Sequence, residues 1–137
     1  MTGSVPNLDQ RLENFGRRAS YIDHGPGFGQ AATAPLSGSK GTPTEGGLIA
    51  AAFVRYPAQI EAGTINGTFM TVMDVLPTFL EIADSEHPGA SQYKGRDING
   101  IVGRSFWANL TGEAEIVHPA TGAAGWVNRS EGALIRG

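Results

Sequence analysis

The sequence predicts an α/β chain with long connecting loops, and three observations predict it. Apolar residues recur at helical spacing twice, at Leu8, Leu12 and Phe15 and again at Leu76, Phe79, Leu80 and Ala83. One short apolar run, LIAAAFVRY over 48–56, stands between Gly46-Gly47 and Pro57 and reads as a buried strand. Gly (20) and Pro (8) together are well above ordinary usage and charged residues make up only 17%, so much of the 137 residues lies in loops.

The elements follow in chain order. Residues 7–18 form a three-turn helix with Asn7 as N-cap, Gln10 three residues on, and Arg17 and Arg18 complementing the C-terminal dipole. Residues 20–47 show no period of 2 or 3.6 and read as one long loop, functional or unstructured. The strand at 48–56 comes next. Residues 68–73 are apolar enough for either an approach strand or an extra helical turn. Asp74 then caps a helix over 75–84, with Pro77 tolerated in its first turn. Ser105 caps a short helix over 106–110, and 133–136 begin a strand for which no neighbour is evident.

Composition narrows the function classes. The length suits a single domain, and 40% hydrophobic residues argue against disorder. No apolar run approaches the roughly 18 residues of a membrane span, so no membrane partner is expected. A net charge of -3 with ten scattered Lys and Arg forms no basic stripe, so nucleic acid is not expected as a partner either. With no Cys, the chain has neither disulfides nor a cysteine nucleophile. The first fifteen residues lack a cationic segment followed by an apolar one, which reads as no secretory signal and a cytoplasmic default.

Most motif readings fail on spacing. Gly25, Gly27 and Gly29 lack the third glycine position of G-x-G-x-x-G, and Gly38-Ser39-Lys40-Gly41-Thr42 does not match a P-loop. His24, His87 and His118 form no H-x-x-x-H pair and read as solvated or loop-packed. Asp23, Asp74 and Asp97 read as turn or cap residues that nothing in the spacing pairs. Three sequons, at Asn66, Asn109 and Asn128, matter only in a secreted chain. That leaves Lys40, a single cation in a Gly/Ser/Thr loop ending in Glu45-Gly46-Gly47, able to reach an anion as a point charge or to remain a solvated surface lysine.

Several of these segments occur together in a familiar order: GPGFGQAATAP, then Lys40, then TEGG, then Val54-Arg55-Tyr56-Pro57, then TVMDVLPTFLEIAD. Tyr93-Lys94-Gly95-Arg96, Gly103-Arg104-Ser105, Gly125-Trp126 and 133–137 extend it. The order resembles the later part of type I sulfatases, the arylsulfatases of the alkaline-phosphatase-like superfamily. The resemblance implies a partial α/β fold of that kind, with residues 1–112 in the late catalytic domain and 113–137 beginning a truncated C-terminal subdomain. It implies a sulfate ester substrate, a formylglycine nucleophile and a calcium ion, with Lys40 matching the lysine that contacts the sulfate oxygens. Sulfuryl transfer, like phosphoryl transfer, depends mostly on positioning and electrostatic stabilisation.

The departures set the expectation for the chain by itself. No C/S-x-P-x-R motif occurs, and the calcium ligands of the family have no counterpart, so the chain is expected to hold neither cofactor and to be inactive alone. Ile49 stands where the family has Arg, and Leu36, Ser37, Gly38 and Ser39 stand where it has Arg and an aromatic. An N-terminal portion carrying nucleophile and calcium is the partner the resemblance implies. A free-standing structural or anion-binding module derived from a sulfatase is the alternative.

Overall fold

The structure, a computed structural model, describes residues 11–18, 25–128 and 130–136. Among the described residues, four α-helices, two 3-10 turns and two two-stranded sheets make up the regular structure. The described residues of Met1–Ala51 and Trp126–Ala133 form one compact unit, and those of Ala52–Gly125 and Leu134–Gly137 form a second.

In the first unit, the described part of the expected 7–18 helix holds one 3-10 turn, Leu12–Asn14, ended by extended backbone at Phe15. Leu8 and the N-cap Asn7 lie outside the described residues. Helix α1, Gly25–Thr33, falls inside the stretch read as a long loop. Pro26 in the first turn and Ala31-Ala32 in the last favour it, and its three glycines hid it from pattern reading. Helix α2, Glu45–Leu48, is a single turn after Thr44.

The strand expected over 48–56 does not form. Leu48 closes α2, and Ile49, Phe53 and Val54 are exposed in chain without regular structure. A strand needs a neighbour to satisfy its N–H and C=O groups, and among the described residues none is paired with this one.

In the second unit, the choice left open over 68–73 resolves at its end as a 3-10 turn, Val72–Asp74, which leads directly into α3, Val75–Ile82. Strands β1, Gln92–Tyr93, and β2, Arg96–Asp97, pair antiparallel with Tyr93 opposite Arg96. Lys94 and Gly95 turn between them, both at positive φ (49° and 77°), as a two-residue hairpin loop requires. Helix α4, Trp107–Leu110, starts where Ser105 Oγ accepts the Trp107 N–H at 3.1 Å. The closing strand β4, Glu131–Arg136, whose residues like those of its partner are divided between the two units, has the neighbour not foreseen for it, pairing with β3, Ala123–Asn128.

Among the described residues no hydrophobic side chain is buried, and the fully buried side chains are Asp74 and Thr78. The apolar stripe of α3 is therefore not the face this chain covers: Leu76 and Phe79 are exposed, while Thr78 faces inward. Thr78 Oγ1 donates to the Asp74 carbonyl at 2.7 Å and accepts the Phe106 N–H at 3.0 Å, tying the start of α3 to the start of α4.

Candidate functional site

The loop that carries Lys40 is braced from both sides. From α1, Gln30 Oε1 accepts the Gly38 N–H at 2.7 Å, Gln30 Nε2 donates to the Leu36 carbonyl at 2.8 Å, and Thr33 Oγ1 donates to the Gly38 carbonyl at 2.7 Å. From α2, the Gly46 N–H donates to the Ser37 carbonyl at 2.8 Å. A Cβ on Gly46 would stand 2.3 Å from the Gly38 carbonyl oxygen, so the helix turn approaches the loop as closely as only glycine allows. Inside the loop, Ser39 O accepts both the N–H and the hydroxyl of Thr42, at 3.1 and 2.7 Å. On the far side of Lys40, Gly41 O accepts Asn128 Nδ2.

Lys40 thus sits on an exposed tip whose flanking carbonyls are both occupied. Among the described residues its ammonium has no hydrogen bond or ion pair. The positions where the family resemblance expects Arg and an aromatic are held through backbone at Leu36, Ser37 and Gly38 instead. Ile49 makes no polar side-chain contact and is exposed.

A second cluster forms around Asp74. Its carboxylate accepts the Thr71 N–H at 2.6 Å, the Thr71 hydroxyl at 3.1 Å, the Arg104 N–H at 2.8 Å and His118 Nε2 at 2.8 Å. Burial pushes this carboxyl up, but the hydrogen bonds from His118, Arg104 and Thr71 outweigh it and hold the group below its ordinary value. Asp74 is the cap residue of α3 as expected, yet its side chain turns away from that helix to gather three other segments. Gly103 makes this possible: a Cβ there would lie 2.0 Å from the Met73 carbonyl oxygen, and only that approach brings the Arg104 N–H to the carboxylate.

Reading by spacing missed this pairing because 44 residues separate His118 from Asp74. His118 is a loop histidine, 23% exposed, with its ring edge-on to Phe69 at 5.6 Å. His87 Nδ1 accepts the Gly89 N–H, and Asp97 accepts from Gln92 at 3.0 Å. Asp23 and His24 lie outside the described residues. Two sequon asparagines meet, Asn66 Nδ2 donating to Asn109 Oδ1 at 2.6 Å, while Asn109 Nδ2 donates to the Ala114 carbonyl at 2.9 Å.

No protein-family model matches the chain. Individual relatives do. An uncharacterized sulfatase of Schizosaccharomyces pombe is 41% identical over 133 residues, 97% of this chain and 24% of that protein. The chain belongs to the sulfatase family. An arylsulfatase of Klebsiella aerogenes is 32% identical over 56% of this chain and 17% of its own length, and arylsulfatase G of Mus musculus is 29% identical over 65% and 16%. The sulfatase chain therefore spans about a quarter or less of the length of these relatives.

Among the described residues, the calcium that the resemblance implies finds no fitting donor set. Among the described residues no group of three or more His, Cys, Asp or Glu converges to hold a metal ion. Asp74, the one buried carboxylate among them, already accepts four hydrogen bonds within the protein.

Proposed function

We propose that this chain forms the Lys40-bearing part of a sulfatase that hydrolyses sulfate esters, with aryl sulfates as the substrate class, and that it turns over no ester by itself. Residues 1–112 belong in this reading to the late part of the catalytic domain and 113–137 to the start of a C-terminal subdomain of the alkaline-phosphatase-like α/β fold. The observation that carries it is the 41% identity over nearly the whole chain, together with a braced loop that holds one unpaired ammonium in the open. In a sulfatase the Lys40 ammonium would meet two sulfate oxygens as a point charge, stabilising negative charge as the ester bond breaks. Formylglycine and calcium would supply the nucleophile and the Lewis acid, from residues other than the 137 here. Bracing matters because a donor fixed before reaction needs no reorganisation when charge develops.

The test is steady-state hydrolysis of 4-nitrophenyl sulfate by the native protein that carries this sequence. Lys40→Ala should lower kcat/KM by about 10²-fold or more, with kcat falling. The 137-residue chain made alone should show no turnover. Unchanged kcat/KM in Lys40→Ala, or turnover by the chain alone, overturns the proposal.

A further inference from the structure

Beside the Asp74 cluster, and wholly within the second unit, lies a cavity of about 230 Å³ that the sulfatase reading leaves unused. Phe69, Pro119, Ala123 and Ile135 give it apolar walls, and Arg104 and His118 are the charged and titratable residues in its lining. Both residues are anchored next to it by Asp74, Arg104 through its backbone and His118 through its ring. The Arg104 N–H is pinned to the buried carboxylate at 2.8 Å, while its guanidinium has no hydrogen bond or ion pair among the described residues. His118 is fixed by Asp74 through Nε2 and by the edge-on ring of Phe69.

The negative charge of Asp74 does not reach into the cavity unopposed, because its oxygens are spent on two backbone N–H groups, a hydroxyl and His118. Apolar walls with a few polar residues among them are the composition of a small-molecule site. Its size suits roughly one aromatic ring and a headgroup. Arg is the side chain best shaped to take a planar or tetrahedral oxyanion by two parallel N–H bonds.

We propose that this cavity binds a small organic oxyanion, its headgroup on the Arg104 guanidinium beside His118 and its apolar body against Phe69 and Ile135. Carboxylate and sulfo headgroups share the chemistry, so the test uses benzoate and benzenesulfonate, neither of which carries a sulfate ester to hydrolyse. Binding to the native protein is measured by titration calorimetry, with phenol as the neutral analogue of the same ring.

At least one of the two anions should bind saturably, phenol at least tenfold more weakly, and the tighter anion identifies the headgroup. Arg104→Gln should weaken the anion by about tenfold or more, since a charge-assisted hydrogen bond is lost while the backbone N–H that serves Asp74 remains. Lys40→Ala should leave this binding unchanged, which separates the cavity from the Lys40 loop. Binding that survives Arg104→Gln, binding abolished by Lys40→Ala, equal affinity for phenol, or no saturable binding of either anion overturns the proposal.

Discussion

Asp74 shows how one side chain can organise a segment whose described residues bury no hydrophobic side chain. An ionised carboxylate removed from water is costly unless every oxygen is matched by donors, and here four donors from three parts of the chain converge on it. The pair with His118 is accordingly expected to break asymmetrically. Asp74→Asn, which leaves donors facing an amide, should cost roughly 3 kcal/mol, while the neighbouring exposed Met73→Leu should cost little. The pH dependence has a definite sign. The folded carboxyl sits below its unfolded value, so its stabilisation is complete above about pH 4 and is lost as the pH falls through the lower, folded value. Thermal unfolding of the native protein between about pH 2 and 6 should show that acid limb, and Asp74→Asn should flatten it. An unaltered limb in the variant would assign the acid sensitivity to other carboxylates.

At the scale of elements, the Lys40 loop depends on backbone contacts more than on the identity of its side chains. Ser37, Gly38 and Ser39 are all held through their carbonyls or N–H groups, which is how the loop keeps its shape without the Arg and aromatic residues that the resemblance expects there. The weak point is the Gly46 contact. Gly46→Ala must displace either the α2 turn or the Gly38 peptide, at a cost of about 1–3 kcal/mol. Because the displacement moves the backbone next to Lys40, the aryl sulfate hydrolysis proposed for the native protein should fall in Gly46→Ala while Lys40 is intact. Full activity in that variant would show that the loop is not what aims the ammonium.

Elements with local signals were readable in advance. Helices α3 and α4 announce themselves through Asp74, Pro77 and Ser105 at their starts, α3 also through its apolar spacing, and both form. Helix α1 was hidden because three glycines in five residues argue against a helix locally, while the contacts that use it, from Gln30 and Thr33 to residues 36–38, are made only after the chain folds back. The run 48–56 erred in the other direction: its composition suits a strand, and composition cannot provide a neighbouring strand.

At the scale of the whole chain, large apolar side chains remain in the open. Phe53 is 96% exposed and Ile65 98%, with Leu76 and Phe79 more than half exposed on α3. Burying an exposed side chain of this size is worth about 2 kcal/mol, so surfaces of this kind drive association when nothing covers them. The 137-residue chain produced alone should bind an apolar dye such as anilinonaphthalene sulfonate strongly and should associate as its concentration rises. A monomer with a cooperative melt and no dye binding would contradict that expectation and favour the free-standing module.

Family membership, the lysine in its glycine-rich loop and the starts of α3 and α4 were determined by the sequence itself, since each rests on residues close together in the chain or on an order of motifs. Only the tertiary structure decided that His118 and the Arg104 N–H meet Asp74, that Gly103 is there to permit the approach, and that a cavity opens beside them. These are contacts between residues 30 and 44 positions apart, made by hydrogen-bonding groups found at many places in the chain, so no local periodicity or spacing marks which of them will pair.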